Sequence, residues 1–176
     1  MTTVTMTIND RLVGPLEVDD STMMIDFLHE YVNLTGTKFG CGVGVCHACT
    51  IVVDNEDGTS ESVRTCVNGV GRFNGKRVRT IEGHAKRNSL GKIVALSPVQ
   101  QTFLDHFSFQ CGWCTSGFVN ETTVLLERLR KQPVGVADLE RTISDALKDH
   151  VCRCTGYKKY HEGVKEMLIK EGVVKS

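Results

Sequence analysis

The hydrophobic pattern of this chain changes period near Ile81. Before that point, apolar residues alternate or run in short β-branched stretches. After it, they recur at helical spacing. "VTMTI" sets Val4, Met6 and Ile8 on one side of a half-buried strand. Asn9-Asp10 offers a hairpin turn into "RLVGPLEV". Ser21 is placed to cap a helix over residues 22–32, with Met24, Ile25, Phe27, Leu28 and Val32 on its apolar side. "CTIVV" (49–53) predicts a strand, "DNEDG" a turn and "ESVRTC" the returning strand. A last strand near "KRVRTI" (76–81) completes a small mixed sheet packed on a helix.

"EGHAKRNSLG" then breaks the pattern with polar residues and two glycines, as a connector does. Ser97-Pro98 reads as an N-cap followed by proline in the first helical turn, and Val99, Phe103 and Phe107 repeat behind it. A second helix follows Cys114 with Phe118, Leu125, Leu126 and Leu129, and Pro133 stops it. A third starts near Asp138 and uses Leu139, Ile143, Ala146 and Leu147. A fourth carries Tyr160, Val164, Met167 and Leu168 and ends at Gly172. The expectation is an α+β chain with a β-rich domain over 1–82 and a four-helix bundle over 83–176.

Composition narrows the function. Among 176 residues, 40% are apolar and 24% charged, an ordinary globular balance. Lys and Arg number 21, as do Asp and Glu, so nothing electrostatic favours nucleic acid, and no basic run suggests a membrane surface. No stretch approaches the roughly 20 apolar residues of a membrane span. "MTTVTMTIND" has no basic start, apolar run or twin arginine, so the expected location is cytoplasmic. Export of a folded complex through a partner's signal stays compatible with that reading.

Eight cysteines change the picture. Disulfides suit secreted chains, and free core cysteines do not cluster at short fixed spacings. Metal or cluster ligands account for both the number and the spacing. Cys41, Cys46, Cys49 and Cys66 fall in the β half, and Cys111, Cys114, Cys152 and Cys154 in the helical half. That division points to two four-ligand sites.

In "FGCGVGVCHACT", four residues separate Cys41 from Cys46 and two separate Cys46 from Cys49, with Cys66 distant. This is the plant-type 2Fe–2S ferredoxin spacing. Three thiolates on one loop must wrap a compact anionic core while backbone N–H groups point at the sulfurs. Gly40, Gly42 and Gly44 give the loop that clearance. Zinc is the competing occupant, although zinc sites usually pair two short cysteine knuckles. His47, between two ligands, suggests a Rieske centre, but those use two histidines and four cysteines already fill this site. It reads as an exposed loop residue, or as one that hydrogen-bonds near the cluster.

The second site is less decided by spacing. "QCGWC" and "VCRCTGY" supply one pair each. Cys114 opens a helix, whose N–H groups favour an anion. Cys152 and Cys154 would face apart on a helix, so an irregular loop is the expected host. A cluster, zinc and a thioredoxin-like dithiol at Cys111 and Cys114 all remain open here.

At these residues the chain resembles a known family. "TGTKFGCGVGVCHACT", "TIEG", "SPVQQTFLDHFSFQCGWCTSGF" and "VCRCTGYKKY" are similar to the small iron–sulfur subunit of molybdenum hydroxylases, the xanthine oxidase, aldehyde oxidoreductase and carbon monoxide dehydrogenase family. The similarity runs from about Val4 to about Met167. It implies two 2Fe–2S clusters, one in a β-grasp ferredoxin-like domain and one in the helical bundle. It implies a large subunit carrying a molybdopterin cofactor, and often a medium FAD subunit, in a hetero-oligomeric oxidoreductase. It also implies that Gln110 and Cys154 approach the pterin. Electrons would pass from the pterin through the helical-domain cluster and the ferredoxin-like cluster to FAD or another acceptor. No residue of this chain is then catalytic, and the substrate pocket lies on another polypeptide. The alternative is a free-standing two-cluster carrier. Two positions depart from the family pattern: His47 stands where glycine is usual, and Ser116 where proline is usual.

Overall fold

The alternating start of the chain folds as its turn residues predict. β1 (Thr2–Ile8) and β2 (Arg11–Val18) pair antiparallel with Ile8 opposite Arg11. Asn9 and Asp10 take φ of 50° and 63°, which matches the twist of a two-residue hairpin. Val4, Met6 and Ile8 are buried. The computed structural model describes residues 1–175.

The first helix is shorter than its pattern suggests. α1 spans only Met24–Asp26 and widens into a π-type turn over Phe27–Tyr31. Ser21 does not cap it, because its N–H and hydroxyl both donate to the Asp19 carboxylate. A local side-chain bond of this kind competes with helix capping. Met24, Phe27 and Leu28 are buried all the same.

β3 (Thr50–Asp54), β4 (Ser60–Arg64) and β5 (Arg77–Arg79) complete a five-stranded sheet of order β2-β1-β5-β3-β4. Within this sheet the β1/β5 pair is parallel and the other pairs are antiparallel. Ile51, Val53, Val63 and Val78 join Val4, Met6 and Ile8 in one apolar cluster with Met24, Phe27, Leu28, Val70 and Phe73. β3 is buried along both faces, as a central strand is when something covers its far side.

The connector holds more structure than its composition suggests. β6 (Lys86–Arg87) and β7 (Ile93–Ala95) form a small exposed hairpin. α2 (Pro98–Asp105) opens with the capping box of Ser97 and Gln100. It ends before Phe107, which takes φ 49° and stands 84% exposed, so the predicted apolar repeat runs one turn too far. α3 (Thr115–Lys131), β8 (Val134–Gly135), α4 (Leu139–Leu147), α5 (Lys158–Lys170) and β9 (Val174–Lys175) follow. α2 to α5 bury Val99, Phe103, Phe118, Leu125, Ile143, Leu147, Tyr160 and Leu168 in a second apolar cluster. β8 and β9 pair in parallel, which neither segment advertises by its length.

α3 joins the halves by lying against β3 and β4. Asn120 donates to the Thr50 carbonyl (2.6 Å) and accepts from His84 Nε2 (2.5 Å). Arg79 of β5 forks between Asp54 (2.7 Å) and Glu127 of α3 (2.7 Å). Burial pushes the Glu127 carboxyl up, and its bonds to Arg79 and Ser60 more than reverse this, leaving it below the usual range. No helix among the described residues is long and apolar enough to cross a membrane.

Candidate metal centres

The first four cysteines meet at the end of the sheet. Cys41 and Cys46 lie on the irregular loop before β3, Cys49 immediately precedes β3, and Cys66 sits in the 3-10 turn after β4. The antiparallel β3/β4 pair brings Cys66 back beside Cys49, since Thr50 stands opposite Arg64. Thr65 reinforces this by donating its N–H and hydroxyl to the Cys49 carbonyl. The thiols associate in pairs, Cys41 with Cys46 and Cys49 with Cys66. Cys49 and Cys66 are buried, whereas Cys41 and Cys46 are partly exposed.

The loop turns its backbone onto the sulfurs. Burial raises the Cys41 thiol, but the N–H groups of Val43, Val45 and Cys46 and the Cys46 side chain bring it down to about 6. The Ala48 N–H faces Cys46, and the Gly44 N–H faces Cys66. Burial and the neighbouring Cys49 push Cys66 up to about 12. A Cβ on Gly40 would come within 2.9 Å of Cys46 Sγ, so a side chain there would fill the cradle. Gly42 and Gly44 take φ of 70° and 76°, the region that favours glycine.

The second four cysteines also converge. Cys111 lies between α2 and α3, and Cys114 occupies the N-cap position of α3. Cys152 and Cys154 sit on the irregular segment before α5, as expected. Cys111 and Cys154 bring their Sγ atoms to 3.6 Å on the exposed side. Cys114 and Cys152 pair on the buried side. Burial raises Cys114 to about 12. Burial would raise Cys152 too, but the Thr155 hydroxyl and the N–H groups of Cys154 and Thr155 hold it below its ordinary value. Tyr157 supports the segment from behind by accepting the Cys152 N–H (3.1 Å), and Tyr160 Oη bonds Thr115 (2.9 Å).

Four thiols with converging N–H donors fit an anionic iron–sulfur group at each place, and four thiolates also suit zinc. The pairing is informative. Each set holds one more exposed and one buried pair, and two thiolates per ion is compatible with two metal ions sharing four cysteines.

The two sets are held together by contacts that sequence spacing does not reveal. The Val151 N–H donates to the Cys46 carbonyl (3.1 Å). Trp113 Nε1 donates to the Phe39 carbonyl (2.9 Å), and Ser116 Oγ to the Ala48 carbonyl (3.2 Å). Ser116 thus ties α3 to the first cysteine loop. Gln110 is exposed, and its Nε2 donates to the Cys154 carbonyl (3.2 Å), so these two residues are adjacent.

His47 is not the exposed loop residue that its position suggests. It is half-buried, and its φ of 57° keeps the glycine-like turn while the ring meets His150 edge-on at 5.0 Å between centroids. Arg64 Nη1 donates to His47 Nε2 (3.0 Å). His150 is 2% exposed. Neither of its ring nitrogens has a hydrogen-bond partner among the described residues, although the Gly117 carbonyl faces the ring. Burial pushes this imidazole down to about 4. Leaving such a group unpaired costs about 1–3 kcal/mol.

The chain is similar to known proteins over both halves. A family model described as "2Fe-2S iron-sulfur cluster binding domain" matches residues 8–70, and one described as "[2Fe-2S] binding domain" matches residues 80–165. The nicotine 6-hydroxylase small subunit of Paenarthrobacter nicotinovorans is 36% identical over 84% of this chain and 78% of its own length. Human aldehyde oxidase is 32% identical over 96% of this chain, which spans only 12% of that protein. Quinoline 2-oxidoreductase from Pseudomonas putida 86 superposes with a TM-score of 0.77 and 28% identity, covering 97% of this chain and 94% of the matched one. The aldehyde oxidoreductase of Desulfovibrio gigas gives 0.79 and 29%, over 98% of this chain and 17% of that one.

Proposed function

We propose, from the premise that this chain belongs to the 2Fe–2S electron-transfer subunits of the molybdenum hydroxylase family, that it holds two clusters and relays electrons between partner subunits. Cys111, Cys114, Cys152 and Cys154 hold the cluster nearer a molybdopterin-binding large subunit. Cys41, Cys46, Cys49 and Cys66 hold the one nearer FAD or another acceptor. When bound, each cluster supplies a one-electron carrier, and the redox chemistry is its own.

This chain's residues set distance, orientation and electrostatics. The amides of Val43, Val45 and Cys46 face Cys41 and favour a reduced, more negative cluster. Burial of Cys49, Cys66, Cys114 and Cys152 keeps water from the inner sulfurs. The exposed pair Cys111 and Cys154, with Gln110 beside it, is the edge open to a pterin on another chain.

The carrying observation is the bond from the Val151 N–H to the Cys46 carbonyl. It links a ligand of one set to the residue before a ligand of the other through one hydrogen bond and one peptide. That link gives a short path between the two sets, as a relay requires.

Domains over 1–82 and 83–176, the latter a four-helix bundle, suit this division, with α3 as the joint. A cytoplasmic site suits thiols that must stay reduced until cluster insertion. Substrate hydroxylation takes place on the large subunit. Anaerobic affinity purification from the native host tests the partnership. A stable complex containing molybdenum and a large chain is expected. Recovery of this chain alone, with its iron intact, would instead identify a free-standing carrier.

A further inference from the structure

A third group of ligand-type side chains lies beside the cysteine sets. His47 of the first loop, Glu121 of α3 and His150 ahead of Cys152 each bring one donor atom within 4.8 Å of the others. Two imidazoles and a carboxylate form the donor set of three-ligand zinc sites, which keep a further position for water. We infer that His47, Glu121 and His150 bind a divalent transition-metal ion of the zinc class.

The second observation is the orphaned ring of His150. It is 2% exposed, and neither nitrogen has a hydrogen-bond partner among the described residues. Native folds rarely leave a buried polar group in that state. An ion takes the lone pair of one nitrogen, and the Gly117 carbonyl that faces the ring is placed to receive the N–H of the other. Metal-bound histidines commonly donate to a backbone carbonyl in this way.

The surroundings suit a cation that is not fully neutralised by protein. A cavity of about 270 Å³ beside His47 is lined by Glu121, Asp145, Asp149 and Arg128. Three carboxylates thus share the cavity with one arginine, Arg128. Arg64 donates to His47 Nε2 and is exposed, so it can swing away or leave Nδ1 as the ligand. Two imidazoles in the donor set favour zinc, nickel or copper over magnesium or calcium. The bound ion would tie the first cysteine loop to α3 and to the Cys152 segment, next to the Val151–Cys46 bond.

The site is distinct from the cysteines, and its test keeps them apart. Full-length protein, purified anaerobically with its iron, is dialysed against micromolar zinc, and zinc and iron are measured in the same sample. About one zinc per chain should be gained with iron unchanged. His47→Gly, which suits the local φ, and Glu121→Gln should each weaken binding by at least ~10-fold. Arg64→Gln should tighten it, an effect that a purely structural role for these rings would not produce. Equal binding by His47→Gly and the unmodified chain overturns the inference, as does zinc uptake only at the expense of iron, or none at all. The iron content, read separately, bears on the cluster assignment and not on this site.

Discussion

Gly117 shows what a single residue contributes at the joint between the halves. A Cβ there would lie 2.2 Å from the His47 carbonyl oxygen and 3.2 Å from Ala48 Cα, both backbone atoms that cannot turn away. Gly117→Ala should therefore destabilise the protein by about 1–3 kcal/mol, read from urea unfolding of the cluster-loaded chain. Nothing in the sequence around Gly117 announces this, because the atoms it must clear belong to the other half. The cysteines were legible for the opposite reason. Three of the first four share one short loop, and their spacing alone carries the chemistry. The convergence of the second four could be expected only from two separated pairs. Cys49→Ser tests the partition into two sets. It should remove or alter one paramagnetic signal of the reduced protein and spare the other. Loss of both from a folded chain would contradict the partition.

Elements that depend on local bonding are more legible in the sequence than those that depend on distant contacts. Ser97 caps α2 as the Ser-Pro start suggests, and Gln100 completes a capping box that the start alone does not announce. Ser97→Ala should cost about 1 kcal/mol, measured as a fall in Tm. Ser21 had the same residue type but a competing carboxylate at Asp19, so α1 begins without it. Phe107 continued the apolar period of α2 on paper, yet the chain leaves the helix before reaching it. β8 and β9 are two residues each and exist only because their partners are near.

The α3–sheet contact has a pH signature. The Glu127 carboxyl sits below its ordinary value of 4.5 in the folded state. Its contribution is present above that value and is lost as pH falls through the lower folded-state value. Glu127→Gln should remove that part of the acid sensitivity and lower stability at neutral pH by about 1–3 kcal/mol, because Arg79 keeps only Asp54 as a charged partner. Urea titrations of both proteins between neutral and acid pH would show this. Parallel acid profiles for the two would contradict it.

At the scale of the whole molecule, two four-cysteine sets are drawn together by one long helix and a backbone hydrogen bond. The cysteine spacing divides into two groups of four, with a change of architecture between them. It did not show that Val151 meets Cys46, or that His47 and His150 share one place, because those contacts arise only when α3 docks on the sheet. The relay proposed above requires that both sets hold 2Fe–2S clusters. Low-temperature EPR of the dithionite-reduced protein, with spin quantitation, tests it most directly. Two distinct spin-½ signals, each at about one spin per chain, are expected. A single signal, or a silent spectrum from fully metallated protein, would contradict the claim and return the second or both sites to zinc.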